Sequence, residues 1–252
     1  MKKALLLGLA VALAAGMAIA EDMTLDEVIA AHFEAIGGAD NLKAVQSARL
    51  AGHMSMGPGA EVPFTMIFAR PEKLRLEFTM QGMTAVQAYD GETAWSIMPF
   101  MGKTEPEVMA EDQAKNIKEQ ADFDGPLMDW KEKGHQVELM GLEETEGTEA
   151  YKLKITLANG DVRYYYLDSE YFVPIKQEGK TTMQGNEVEF ETILSDYKEV
   201  DGLMFPFSIE SRPKGAPAGQ VITIDSIELG VEVSDGEFAM PEPAAAATGT
   251  EG

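Results

Sequence analysis

Lys73-Leu74-Arg75-Leu76-Glu77-Phe78-Thr79-Met80 places an apolar residue at every even position and a charged or polar one at every odd position. Successive side chains of a β-strand point to opposite faces, so this stretch reads as a strand with one greasy and one wet face. The pattern recurs along the chain. Tyr151, Leu153, Ile155 and Leu157 alternate with Lys152, Lys154 and Thr156, and Val188, Phe190, Thr192 and Leu194 oppose Glu187, Glu189 and Glu191. Leu203, Phe205, Phe207 and Ile209 repeat it once more. Such alternation belongs to antiparallel sheets covered on one side. Turn-forming pairs separate the runs at Asp90-Gly91, Asn159-Gly160, Gly185-Asn186 and Asp201-Gly202. Roughly ten to twelve strands can be read, more than a flat sheet carries comfortably. The expected fold class is therefore mainly β with α, a curled antiparallel sheet forming an incomplete barrel.

Two stretches break the alternation. Thr24 to Ile36 carries Leu25, Val28, Ile29, Phe33 and Ile36 at helical spacing, opens on a Thr24/Glu27 capping box and ends at Gly37-Gly38. Between Thr104 and Lys133 a second helical region is expected. Thr104 and Glu107 form another capping-box pattern, Pro106 suits a first helical turn, and Met109, Ala114 and Ile117 recur at helical spacing. Asp124-Gly125-Pro126 ends that helix, and Leu127, Met128 and Trp130 suggest a short further one stopped by Gly134. A helical insert in a β-meander commonly packs over the mouth of the sheet, which makes it a candidate lid.

The N-terminus pairs Lys2 and Lys3 with the uncharged run Ala4 to Ile19 and an Ala18-Ile19-Ala20 cleavage pattern. Residues 1–20 read as a cleavable signal peptide too short for a bilayer span, which predicts a periplasmic address without stable membrane insertion. Residues 21–240 read as one domain, a half-barrel. Residues 241–252, rich in Pro, Ala, Thr and Gly, read as a disordered tail. The chain has no cysteine, so its stability must come from its core, and there is no lipobox thiol to acylate. Formal net charge is −23, or −25 without the two leader lysines, which disfavours nucleic acid and anionic membranes as partners.

Catalytic parts are few. The three histidines, His32, His53 and His135, stand in no ligand or triad spacing, and no H-E-x-x-H, G-x-S-x-G or P-loop pattern occurs. The acidic residues fall mostly where exposed faces and turns are expected. The reading is a non-enzyme with no cofactor and no metal site.

Fourteen of the 16 methionines lie beyond the leader. Methionine is flexible and polarizable and suits surfaces that adapt to variable apolar partners. Met54, Met66, Phe68, Leu76, Phe78 and Met80 fall on successive strands and are expected to line an apolar hollow, with Trp95, Met98 and Phe100 near its rim.

The order of several short motifs carries a resemblance. Arg70-Pro71-Glu72-Lys73-Leu74-Arg75 leads into a strand and is followed by Tyr89-Asp90-Gly91-Glu92-Thr93-Ala94-Trp95 and Met98-Pro99-Phe100. Asp124 to Trp130, Tyr164-Tyr165-Tyr166-Leu167-Asp168 and Ser195 to Pro206 continue it. Together they resemble the LolA-like superfamily of periplasmic lipoprotein carriers and outer-membrane lipoprotein-sorting proteins. The resemblance implies an incomplete barrel wrapped around helices, with an apolar cavity that shelters acyl chains. It also implies that Arg70, the arginine before the proline, helps latch a helical lid. The extra strands after Gly134 and the acidic charge depart from the true carriers and leave a free lipid as open as a lipoprotein. The expected function is a soluble, monomeric carrier of a lipid or lipoprotein acyl chain, handed on by envelope membrane-protein donors and acceptors. The alternative is an envelope sensor that recognises a protein partner through the same concave face.

Overall fold

A computed structural model describes residues 23–55, 61–183 and 186–242. The expected leader at 1–20, and all but the first two residues of the expected tail, lie outside them. The chain begins with α1 (Leu25–Ala35) and α2 (Ala39–Ala44). Both bonds of the capping box form: the Thr24 N–H donates to Glu27 Oε2 at 2.8 Å, and the Glu27 N–H donates to Thr24 Oγ1 at 3.4 Å. Gly37, with φ of 105°, turns the chain between the helices. A Cβ there would run into the Gly202 carbonyl oxygen, so the position demands glycine twice over.

Among the described residues thirteen strands follow. The first six, β1 (Ser47–Ser55), β2 (Glu61–Ala69), β3 (Lys73–Met80), β4 (Met83–Tyr89), β5 (Ala94–Met98) and β6 (Lys103–Val108), form one meander. After α3 (Glu111–Ala121) come β7 (Gln136–Thr145), β8 (Thr148–Thr156), β9 (Val162–Asp168) and β10 (Pro174–Met183). Then β11 (Asn186–Val200), β12 (Leu203–Pro213) and β13 (Gln220–Leu229) complete the second meander. The meanders join where β1 pairs with β13, giving the order β6-β5-β4-β3-β2-β1-β13-β12-β11-β10-β9-β8-β7 in one sheet. Every neighbouring pair is antiparallel. β6 and β7 are its two edges, so the sheet curls without closing.

The helices pack inside the curl. Val28 and Ile29 of α1, with Leu127, cover Leu153, Ile155 and Leu167 of β8 and β9. Ile117 and Ala121 of α3 cover Leu74, Tyr89 and Ala94 of β3, β4 and β5. Leu42 of α2 meets Met128 and Leu203 at the base.

Two expectations in the insert are corrected. Thr104 to Val108 is not a helical start but β6, paired to β5 through Trp95↔Val108 and Ser96↔Glu107. Pro106 is tolerated because an edge strand can leave a missing N–H facing outward, and the helix begins later, at Glu111, where Ala110 in the cap position offers no side-chain hydrogen bond. Leu127 to Trp130 forms successive turns instead of a second helix; Gly125 and Asp129 take positive φ (69° and 48°), which interrupts a helical repeat.

Candidate ligand groove

Residues paired across neighbouring strands share a face, which assigns the sheet's inner surface strand by strand. Leu50, Met66 and Leu76 stand in one cross-strand row, and Phe64 and Phe78 in the next. Across the β1–β13 join, Met54 faces Ile222 and then Ile209. Phe64, Phe207, Ile224 and Ile227 are the buried heart of this sector, and every apolar side chain packed on them comes from a strand. α1 and α3 cover the sectors on either side. The middle is therefore apolar but roofed by no helical side chain of that cluster. Leu50, Met54, Phe78, Ile209 and Ile222 are accordingly half-buried; Met66 and Leu76 are half-buried too but also pack on the α3 cluster, as Phe205 does on that of Leu42 and Met128, whereas Leu74 and Leu153, directly under the helices, are fully buried. A contiguous apolar surface left part-exposed on a concave sheet can take an apolar ligand.

The structure brings most of the sequence-chosen lining residues together. Met54, Met66, Leu76 and Phe78 belong to the central cluster, and Phe68 to the flank under α3. Met80 continues the same face by alternation, as does Met98. Phe100, in a single tight turn at Pro99–Met101, lies with its ring 5.8 Å from that of Phe78 and extends the row to the rim. Trp95 is the exception. It pairs with Ala88 on the outer face, is fully buried, and donates its Nε1–H to the Phe238 carbonyl at 2.8 Å. A C-terminal strap covers it there, with Met240 against Val86, Ala88 and Trp95. Trp95 is a clamp for that strap and does not line the groove.

Arg70 sits where β2 turns into β3. Its guanidinium grips both carboxylate oxygens of Asp124, at 2.5 and 2.6 Å, just beyond the end of α3. It also donates to the carbonyls of Val45 (2.7 Å) and Leu42 (3.0 Å) and lies over the Phe123 ring. Burial alone would raise the Asp124 carboxyl, but the Arg70 hydrogen bonds and charge, with Lys133 and Lys43, outweigh it and hold it below the usual range.

The far side of α3 has ties that the sequence did not announce. Arg163 of β9 donates to Glu119 at 2.8 Å, and Lys115 pairs with Asp161 at 2.5 Å. α3 thus spans between the two arms of the open sheet, bonded through apolar contacts to one and ion pairs to the other. Glu119 and Asp161 are two among 43 carboxylates, so only the placement of α3 against β9 reveals these partners.

Other charged groups serve the outer surface. Buried Glu191 is held low chiefly by its hydrogen bond to Arg212, and Glu178 by Lys214 and Lys176 against the opposing effect of burial. The histidines stay apart: His32 Nδ1 meets the Phe172 carbonyl at 2.9 Å, His53 neighbours Asp225, and His135 accepts from the Ala158 N–H. Among the described residues no three His, Cys, Asp or Glu side chains gather as a metal would require. No described helix is long and apolar enough to cross a membrane.

Solved structures share this architecture. A DUF1329-family protein from Desulfovibrio piger covers 84% of this chain and 97% of its own at a TM-score of 0.59 and 13% identity. A LolA-superfamily protein from Nitrosomonas europaea covers 84% and 96%, with TM-score 0.56 and 16% identity. The fold is LolA-like. A Vibrio parahaemolyticus domain named for outer membrane lipoprotein sorting shares this LolA-like fold too, over 79% and 94% at TM-score 0.55 and 9% identity. No family model matches the sequence, and no curated protein does either.

Proposed function

We propose that this protein binds the acyl chain of a lipid or lipoprotein along the inner face of its sheet and carries it between envelope membranes. The observation that carries the reading is the central sector, where strand-borne Leu, Ile, Met and Phe side chains stay half-buried between α1 and α3. An acyl chain laid there would cover that surface, gaining about 0.8 kcal/mol per buried CH₂. The ion-paired α3 would serve as the lid, with Arg70 as its latch at one end. The LolA-like fold supports the same direction, since one structure that shares it is named for lipoprotein sorting. The acidic surface suits a carrier that must not adhere to anionic surfaces on its way.

Lipid mass spectrometry on natively purified protein, with uptake of a fluorescent fatty acid by the delipidated protein, tests the proposal. A co-purifying lipid and saturable uptake are expected; a clean protein that takes up nothing refutes it.

A further inference from the structure

One rim of the sheet differs from the rest of the surface. The β3–β4 and β5–β6 turns lie at the same end of the sheet, because consecutive antiparallel strands return there. Residues 78–84, Phe-Thr-Met-Gln-Gly-Met-Thr, and residues 96–102, Ser-Ile-Met-Pro-Phe-Met-Gly, contain no charged residue, in a chain with 63 of them. Met101 is 67% exposed and Met83 36% exposed. The tips are built to project. Gln81 and Gly82 take positive φ in a tight hairpin, and Gly102 does so at the end of the Pro99–Met101 turn. The contact between Phe78 and Phe100 makes these tips continuous with the inner face.

We propose that this rim docks on the interface of an uncharged lipid bilayer, with Met83 and Met101 entering the headgroup boundary. Large exposed apolar side chains favour the interfacial region over water, and the charge beside these tips, Lys103, is paired with Glu107 at 2.7 Å. The chain's negative charge, carried elsewhere, repels an anionic surface and leaves this end as the one suited to approach. A flexible thioether accommodates the irregular packing of lipid headgroups. The docking is peripheral and reversible, and it holds the open end of the groove against the bilayer. It goes beyond ligand carriage, because the tips would touch membrane whether or not the groove is filled.

The test is co-sedimentation of the protein lacking residues 1–20 with pure phosphatidylcholine vesicles and with vesicles containing phosphatidylglycerol. Wild type is expected to bind the neutral vesicles, and less of it the anionic ones. Met83→Glu/Met101→Glu is expected to weaken binding about tenfold or more, as the loss of one buried apolar side chain implies. Met101→Glu alone, at the more exposed site, guards against misfolding, and circular dichroism checks both variants. Wild type that ignores neutral vesicles, binds only anionic ones, or binds as well after the substitutions overturns the proposal. So does capture of a protein partner through these residues without any vesicle binding. Fatty-acid uptake from buffer should be unchanged in Met101→Glu. Vesicle binding by wild type without any uptake would refute carriage and leave the rim's role standing.

Discussion

Arg70 and Asp124 meet as a two-pronged ion pair that joins the β2–β3 turn to the segment leaving α3. Both side chains are largely sheltered, 21% and 15% exposed, so the pair is not a surface decoration. One guanidinium thereby holds three things: the end of α3, the carbonyls of α2, and the ring of Phe123.

Asp124→Asn keeps an oxygen for Arg70 but removes the charge, and should cost about 1.5–3 kcal/mol at neutral pH. The sign of its pH dependence follows from the lowered carboxyl. A depressed folded value adds stability that is complete above the ordinary 3.8 and disappears as pH falls through the folded value. Thermal melts of wild type and variant should therefore differ at neutral pH and converge in strong acid. Arg70→Leu, which also strands two carbonyls, should lower the melting temperature further than Asp124→Asn.

Glu119→Gln loosens the opposite attachment of α3 by weakening its bond to Arg163. Hydrogen exchange of α3 amides should quicken while the β-sheet amides stay protected, and release of a loaded fluorescent fatty acid should speed up. Unchanged exchange in α3 would show that the apolar contacts alone secure it.

Met54→Glu puts a charge on the proposed binding surface. Affinity for fatty acid should fall about tenfold or more, because the carboxylate must lose water to lie beside an acyl chain. Titration with the fluorescent ligand measures it.

Trp95→Phe keeps most of the ring but leaves the buried Phe238 carbonyl without its donor. The cost should be about 1–3 kcal/mol by chemical denaturation. Ligand uptake should be unchanged, since Trp95 lies on the outer face.

Gly52→Ala should destabilise by about 3 kcal/mol, the upper end of overpacking costs. A Cβ there meets the Thr223 carbonyl oxygen at the bulge between β1 and β13.

Local chemistry was readable in advance. The Thr24 cap, the glycine stop of α1, the alternating runs and the turns at Asp90-Gly91, Asn159-Gly160 and Asp201-Gly202 each depend on neighbours in sequence, and each stands where its residues placed it; the turn expected at Gly185-Asn186 lies partly outside the described residues. Most of the inner-face residues followed from the same alternation. The failures have two roots. Residues 103–108 satisfy both a capping-box pattern and an edge strand, and pairing with β5 decided between them. In Ala94 to Met98, Ala94 and Met98 stand on one phase and Trp95 and Ile97 on the other, whose back the C-terminal strap covers, so alternation gave Trp95 no side. For Trp95, a covering segment more than a hundred residues away leaves no local mark.

The seam between β1 and β13 has a consequence for how the molecule comes into being. Each meander can assemble from hairpins between adjacent stretches, but the strip that unites them pairs Ala48 with Leu229 and Met54 with Ile222. Closing so long a loop is slow. The strip that unites the meanders is thus the one that depends on the whole chain, and without the final strand the protein would be two half-shells with raw inner borders.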